Sequence, residues 1–172
     1  MSTTSDTSDT RKAWLAGGCF WGVEYHLRRI PGVLDVVSGF MGGTLERPTY
    51  RQVCTQHTGH IETVEVTFDP KSTNFETIAR RFFEIHDPTQ LDRQGPDIGL
   101  QYRSVVFFAD EAQRTTAEAL IAKLIHNGYD VVTELVPAAT FWPAGDEHQV
   151  YYDRHRKEPS CHFPVPRFTR PA

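Results

Sequence analysis

Cys19 stands in the stretch GGCFW, directly after two glycines and before Phe20 and Trp21. A glycine turn followed by a helix would place its thiol at the helix N-terminus, where free backbone N–H groups and the helix dipole favour negative charge. This position predicts a thiol pKa below the free value of about 8.5, and therefore a nucleophilic thiolate. The two aromatic residues are candidate walls of an apolar pocket. The alternative is a buried cysteine at a helix start, packed beside two core aromatics.

Glu62 is a second candidate, because it shares the apolar face of a predicted strand. Counting in steps of two from Glu62 gives Val64, Val66 and Phe68, so its carboxyl is expected to point inward. Burial raises the pKa of a carboxyl, and a carboxyl that keeps its proton near neutral pH suits a general acid. In the alternative, the strand begins at Glu62 and the side chain turns into solvent.

Two tyrosines, Tyr50 and Tyr102, lie beside irregular chain, and their hydroxyls are candidate hydrogen-bond donors to a polarised oxygen. For each of them, simple packing with an exposed hydroxyl is the alternative. Asp97 lies in the glycine-bearing loop RQGPDIG and is either a binding residue or a turn residue.

Two more cysteines complete the set. Cys161 lies 142 positions after Cys19 (161 − 19) in a proline-rich tail, where a mobile thiol would suit attack on an oxidised partner. An incidental surface cysteine is the alternative. Cys54 has no obvious activating neighbour and is interpreted as structural. The histidines are scattered without the spacing of a metal site, and the cysteines offer no structural zinc set.

The elements that must position these residues alternate between strands and helices. Strands are predicted over 11–16, 33–43, 61–69, 104–109 and 129–136, and helices over 19–30, 74–85 and 110–127. This order predicts an α+β fold, a two-layer α/β sandwich with a ferredoxin-like core and a mainly antiparallel sheet. The second helix has an apolar face and Asn74 as its candidate N-cap. The third is expected to start at Asp110, with Gln113 three residues on as in a capping box. The inward face of the third is predicted to be Ala117, Leu120, Ile121, Leu124 and Ile125.

Three segments are expected along the 172-residue chain: a disordered lead over 1–10, an α+β domain over 11–142, and a long irregular tail over 143–172 that carries five prolines. The charge balance is 18 basic against 22 acidic residues, without a basic stripe, which argues against nucleic-acid and membrane partners. The first ten residues lack the apolar run of a secretory signal, and no stretch is apolar enough to span a bilayer. Three cysteines without a CxxC pair indicate a reducing, cytoplasmic location.

Four blocks together resemble peptide methionine sulfoxide reductase of the A type. They are GGCFWGVEYHLRRIPGV, YRQVCTQHTGHIETVEVTFDP, IHDPTQLDRQGPDIGLQYRS and FWPAGDEHQVYY, and they occur in family order between Trp14 and Tyr152. The resemblance implies that 11–142 is the catalytic domain. It also implies the two-layer sandwich with a long C-terminal coil that the pattern of elements suggests.

The resemblance also implies a role for each candidate. Cys19 would be the nucleophile that attacks the sulfoxide sulfur, and Glu62 the acid beside the sulfoxide oxygen. Tyr50 and Tyr102 would donate hydrogen bonds to that oxygen. The substrate methyl group would be enclosed by Phe20 and Trp21, with Asp97 in the binding rim, and Cys161 would be the resolving cysteine.

The implied chemistry forms a sulfenic acid on Cys19, which Cys161 converts to a disulfide that an external dithiol, expected to be thioredoxin, reduces. No metal or organic cofactor is required. The expected substrate is methionine S-sulfoxide, free or in oxidised proteins, and the expected state is a monomer. Rival interpretations are a cysteine hydrolase with a histidine base, a non-enzymatic thiol redox sensor, and a passive aromatic binding module.

Overall fold

The computed structural model describes residues 9–160 and 162–169. Strands and helices alternate along them. The strands are β1 (Arg11–Gly17), β2 (Val33–Met41), β3 (Ile61–Phe68), β4 (Arg93–Gln94), β5 (Asp97–Ile98), β6 (Ser104–Phe108), β7 (Glu134–Pro137) and β8 (Trp142–Pro143). The α-helices are α1 (Phe20–Arg28), α2 (Tyr50–Cys54), α3 (Phe75–Ile85), α4 (Glu111–His126) and α5 (Tyr151–Arg154), with 3-10 turns at Leu100–Tyr102 and Asp146–His148.

Six strands form one sheet in the order β7-β6-β1-β3-β2-β8, while β4 and β5 form a separate hairpin. Every neighbouring pair of the large sheet is antiparallel except β6 and β7, which are parallel. Parallel neighbours need a crossover connection, and α4 supplies it. The predicted mixture of helices with a mainly antiparallel sheet is confirmed.

The strand register gathers distant parts of the chain at one end of the sheet. Leu15 of β1 lies opposite Val64 of β3, two residues after Glu62 on that strand. Phe40 of β2 pairs with Glu62 from the other side. Ser104, which follows the 3-10 turn, pairs with Gly17. The end of β1 therefore meets the starts of β3 and β6.

The sheet buries both faces. On one face α1, α3 and α4 cover the main core, to which α3 contributes the predicted apolar residues Phe75, Ile78, Ala79, Phe82 and Phe83. A smaller cluster on the opposite face holds Ala16, Met41, Ile61, Val105 and Phe107. Alternate residues of β1 divide between the two clusters, as the two-residue period of a strand requires. Among the described residues, no helix is long and apolar enough to cross a lipid bilayer.

Two predicted helix caps are confirmed. The side chain of Asn74 accepts a hydrogen bond from Thr77 N at 2.8 Å, and that of Asp110 accepts one from Gln113 N at 2.9 Å. These bonds satisfy backbone donors that the first helical turn leaves free. The predicted inward face of α4 is wrong at Ile125, which is 57% exposed. One residue after the buried Leu124, the helix has rotated by about 100° and Ile125 leaves the core stripe.

Other differences come from short or irregular chain. The last predicted strand begins at Glu134 rather than at 129, because Val132 N donates to Pro88 O at 2.8 Å instead of joining the sheet. The helix α2, the β4-β5 hairpin and β8 were not predicted, since each has five residues or fewer. The segment after Pro143 was expected to be irregular throughout, yet it contains a 3-10 turn and α5. Hydrophobic periodicity needs a longer window than these elements offer.

Candidate active site

The turn that carries Cys19 depends on the glycines before it. Gly18 has φ +91°, and a Cβ there would lie 2.6 Å from the Cβ of Gln94. Gly17 is equally tight, since a Cβ would meet the His86 and Phe82 rings at 2.9 Å. Only glycine fits both positions without displacing these neighbours. Cys19 follows as the N-cap of α1, and its carbonyl accepts from Gly22 N at 3.2 Å.

The predicted fall in the Cys19 pKa is wrong for this structure. Burial is the largest influence and raises the pKa of the thiol well above its ordinary value, and the nearby Glu62 carboxyl raises it further. The backbone N–H groups of Trp21 and Gly22 act in the predicted direction, but they are outweighed. Helix-end electrostatics is thus present but weaker than desolvation, and the resting group is a neutral thiol.

Glu62 points inward, as the strand alternation predicts, and is 1% exposed. Its Oε1 accepts a hydrogen bond from Phe20 N at 3.1 Å, whereas its Oε2 has no hydrogen-bond partner among the described residues. Burial raises the pKa of this carboxyl to about 8, and only the Phe20 N–H opposes the shift appreciably. Glu62 is therefore a protonated acid at neutral pH, and one of its oxygens is unengaged.

The structure brings both predicted tyrosines to the same site. Tyr50 is the first residue of α2, whose start is fixed by a capping box between Thr49 and Gln52. Tyr102 ends the 3-10 turn before β6. Burial raises the pKa of both phenols, and Glu62 and Cys19 raise it further, so both hydroxyls stay protonated donors.

Asp97 also lies within electrostatic range of this group. It sits on the β4-β5 hairpin, and its carboxylate raises the pKa values of Cys19, Glu62 and Tyr102. Its predicted place near the site is therefore consistent with the structure. The negative charge of Asp97 therefore disfavours further negative charge at the site.

The two aromatics after Cys19 have different surroundings. Phe20 is 1% exposed and packs against the rings of Phe40, Tyr50 and His148 at centroid distances of 5.6, 6.1 and 5.6 Å. Trp21 is half-buried and stacks on Tyr151 at 3.7 Å with the rings 5° from parallel. Together these rings form an aromatic wall beside the turn.

Residues of the C-terminal segment complete this wall. His148 Nδ1 accepts a hydrogen bond from Trp21 Nε1 at 3.2 Å, and its ring lies 4.4 Å from that of Tyr50. From the sequence, His148 is expected to be a surface or core histidine without a role in the site, and no role is predicted for Tyr151. The only signal for either was their presence in the block FWPAGDEHQVYY.

The other two cysteines differ in what can be said of them. Cys54, interpreted as structural, is half-buried at the end of α2, and burial raises its pKa while a hydrogen bond with Tyr50 lowers it. Cys161, the predicted resolving cysteine, lies outside the described residues. In 9–160 and 162–169, no three His, Cys, Asp or Glu side chains are grouped so as to hold a metal ion.

Known proteins resemble this chain over most of its length. Residues 11–171 match the sequence profile of the family described as "Peptide methionine sulfoxide reductase". A Nocardia farcinica protein named "Peptide methionine sulfoxide reductase MsrA" is 47% identical over 167 residues, which cover 95% of this chain and 96% of that protein. A protein of the same name from Acidobacterium capsulatum is 50% identical over 155 residues, which cover 88% of this chain and 99% of that protein.

Solved structures show the same likeness. The reduced form of Mxr1 from Saccharomyces cerevisiae aligns with a TM-score of 0.84 and 30% identity, covering 91% of this chain and 93% of Mxr1. Mxr1 in complex with Trx2 aligns with a TM-score of 0.61 and 22% identity over 95% of each chain. At that identity the second alignment shows a shared fold alone.

Proposed function

Because this chain belongs to the peptide methionine sulfoxide reductase family, and is an oxidoreductase that reduces methionine sulfoxide to methionine, we propose that Cys19 is its nucleophile and Glu62 its general acid. One observation carries this assignment. A carboxyl protonated at neutral pH, with one oxygen unengaged, lies beside the half-buried thiol. A sulfoxide sulfur becomes a good target for a thiol only as its oxygen receives a proton.

The proposed step balances within these two groups. Cys19 Sγ attacks the sulfoxide sulfur while Glu62 gives its proton to the sulfoxide oxygen, and the thiol proton restores the Glu62 carboxyl. The hydroxyl then passes from the methionine sulfur to Cys19 Sγ: an S–O bond forms on Cys19, while the S–O bond to methionine and the transient bond between the two sulfurs both break. The products are methionine and a Cys19 sulfenic acid, so the methionine sulfur is reduced and Cys19 is oxidised.

The surrounding residues orient the sulfoxide in this proposal. Tyr50 and Tyr102 donate hydrogen bonds to its oxygen, which their raised pKa values support because both phenols keep their protons. Phe20 and Trp21 enclose the methyl group, and Asp97 contributes to the rim. The S epimer is the expected substrate, free or within oxidised proteins, on the strength of the family resemblance.

Regeneration is proposed to pass through a Cys19–Cys161 disulfide and a thioredoxin-type dithiol. The solved complex of Mxr1 with Trx2, from a protein 30% identical to this chain, supports the choice of reductant. The proposed chemistry uses thiols throughout, so no further cofactor is assigned. The residues of the site come from one chain, which supports a monomer, and thiol chemistry suits a reducing compartment such as the cytoplasm.

The fold class is proposed in finer terms as well. β1, β2, β3 and β6 are connected as β-α-β-β-α-β and occupy the order β6-β1-β3-β2, all antiparallel. These relations support a ferredoxin-like core, with β7 and β8 added at its edges. The C-terminal segment that follows is proposed to belong to the same folded unit.

Turnover by cysteine variants tests the assignments. We expect Cys19→Ser to be inactive with both thioredoxin and dithiothreitol, and Cys161→Ser to be inactive with thioredoxin only. Cys54→Ser is the matched control, because serine keeps an oxygen that can accept from Tyr50, and it should behave as wild type. Activity in Cys19→Ser would refute the nucleophile, and thioredoxin-dependent activity in Cys161→Ser would refute the resolving cysteine.

A further inference from the structure

His162, the residue after Cys161, is buried against the catalytic turn. The residue is only 2% exposed, and its Nε2 lies 2.8 Å from the carbonyl oxygen of Gly17. Because a carbonyl can only accept, Nε2 carries the proton and donates it. The turn residue two positions before Cys19 is thus bonded directly to the C-terminal segment.

A second hydrogen bond holds the backbone of the same residue. The His162 carbonyl accepts from His26 Nε2 at 2.9 Å, and His26 lies on α1, the helix that Cys19 caps. His162 therefore bridges the strand side and the helix side of the turn. The contact between the two histidines could not be predicted from the sequence, because it spans 136 positions.

At two glycines, the imidazole of His162 occupies or borders the space that a Cβ would need. A Cβ on Gly22 would lie 2.1 Å from His162 Nδ1, and a Cβ on Gly18 would lie 3.2 Å from Nε2. Glycine inside a helix costs about 1 kcal/mol relative to alanine, so Gly22 needs a compensating reason to stand in α1. The buried imidazole supplies it.

The chain is also tied down on either side of this contact. After it, Val165 N donates to Glu84 O at 2.8 Å and Arg167 Nε donates to Phe83 O at 3.0 Å, both along α3. Before it, Tyr151 stacks on Trp21, and Asp153 pairs with Arg29, the C-cap of α1. The segment is therefore held against the catalytic domain by contacts on both sides of position 161.

We propose that His162 is a positioning residue that keeps the C-terminal segment on the Cys19 turn, so that resolution of the sulfenic acid occurs without a search by a free tail. The proposal rests on the proposed function, in which Cys161, one peptide bond away, is the resolving thiol. In that step Cys161 Sγ attacks Cys19 Sγ, the S–S bond forms and the S–O bond breaks. The hydroxyl leaves as water with the proton of the Cys161 thiol, so Cys161 is oxidised and the sulfenic sulfur is reduced.

The expected effect follows from effective concentration. A thiol held near its target reacts at a much higher effective concentration than one on a flexible linker. Removing the anchor should therefore slow disulfide formation and leave the first chemical step nearly unchanged. A purely structural role would slow both steps together or neither.

Single turnover of the reduced full-length enzyme with methionine sulfoxide, without added reductant, separates these steps. Methionine release reports the first step. The second step is followed by the loss of free thiols as the disulfide forms, while dimedone captures the sulfenic acid that has not yet reacted. For His162→Ala we expect methionine release within about threefold of wild type, and disulfide formation slower by about tenfold or more, with sulfenic acid accumulating. His162→Gln, whose Nε2 can still donate to Gly17 O, should recover most of the disulfide rate.

Matched variants keep the test decisive. His57→Ala removes an exposed histidine and should match wild type in both steps. Val165→Pro removes the N–H that bonds Glu84 O and leaves the imidazole contacts in place, so it should slow disulfide formation by a smaller factor even if His162→Ala fails to fold. A wild-type disulfide rate in His162→Ala, or in Val165→Pro if His162→Ala does not fold, would overturn the positioning role. Absence of a disulfide in wild type would instead refute Cys161 as the resolving cysteine of the proposed function.

Discussion

At the scale of single residues, the site holds a thiol and a carboxyl for which ionisation is costly in both cases. The pKa of Cys19 is raised by burial and by Glu62, and that of Glu62 is raised by burial to about 8. The reactive arrangement, thiolate beside carboxylic acid, differs from the resting pair by loss of the thiol proton alone. When the substrate oxygen takes up a proton during the reaction, the cost of ionising the Cys19 thiol is offset.

Glu62→Gln should reduce activity and change how stability depends on pH. Loss of a general acid is expected to lower kcat by about 10²–10⁴-fold. The folded pKa of about 8 exceeds the ordinary 4.5, so the unfolded chain loses this proton first and wild-type stability falls as pH rises from 4.5 to 8. Across that range the stability of the variant relative to wild type should improve by up to about 4 kcal/mol.

Urea unfolding at several pH values, with turnover measured in parallel, checks both effects. Glu65→Gln is the control, because it lies on the same strand but pairs with Lys12 and Trp14 on the other face. It should retain activity and the wild-type response to pH. Equal slopes of stability against pH in wild type and Glu62→Gln would contradict the buried, protonated acid.

Single residues also show where sequence reasoning stops. Alternation along one strand was enough to direct Glu62 inward, because a strand has a strict two-residue period. The pKa of Cys19 could not be predicted, since its sign depends on how much protein covers the thiol. The contacts of Trp21 with Tyr151 and His148 could not be predicted either, because these residues lie about 130 positions away in the sequence.

At the scale of elements, α1 contains a glycine that helix propensity alone would replace. Gly22→Ala would ordinarily stabilise an exposed helix by about 1 kcal/mol. Here the added Cβ would meet His162 Nδ1 at 2.1 Å, so we expect the variant to be less stable by about 1–3 kcal/mol. Denaturant unfolding of the reduced protein measures the difference.

A double-mutant cycle identifies the cause of that loss. In the His162→Ala background the imidazole is gone, and Gly22→Ala should be neutral or stabilising. The two changes would then be coupled by more than about 1 kcal/mol. An equal cost of Gly22→Ala in both backgrounds would mean that something other than the imidazole opposes the Cβ.

Elements with strong local signals were predictable and the others were not. The sequences of α3 and α4 each contain an N-cap residue and an apolar stripe, and both helices begin where Asn74 and Asp110 predict. By contrast, α2 has five residues, and its capping box was found only in the structure. The start of β7 was misplaced because Val132 bonds Pro88, a contact that no local pattern encodes.

At the scale of the whole molecule, the C-terminal segment belongs to the folded body. It contributes β8 to the sheet, His148 to the aromatic wall and His162 to the turn. Its final described residues reach α3, where Phe168 packs on Phe83 and beneath the Arg80 guanidinium. The change of composition at Pro143 predicts a separate tail, but composition carries no information about contacts.

Deleting residues 161–172 should therefore weaken the fold as well as remove a thiol. Loss of the two hydrogen bonds of His162 and of the two to α3 is expected to cost about 4 kcal/mol, at about 1 kcal/mol for each hydrogen bond. For a protein of this size the melting temperature should fall by about 8–16 °C. Calorimetry of the reduced protein measures it, with Cys161→Ser as control. A melting temperature equal to that of the control would show that the segment adds no stability.

The order of the sheet also dictates when the Cys19 thiol can first be covered by its neighbours in the fold. β1 is translated early, yet its two neighbours are β3 and β6, and β6 ends at Phe108, 91 residues after Gly17 (108 − 17). At typical elongation rates of 5–20 residues per second, roughly 5–20 s pass between their synthesis. Cys19 is synthesised before Tyr50, Glu62, Tyr102 and the C-terminal segment, which contribute to its surroundings in the folded protein. The site can therefore be completed only after most of the chain has been made.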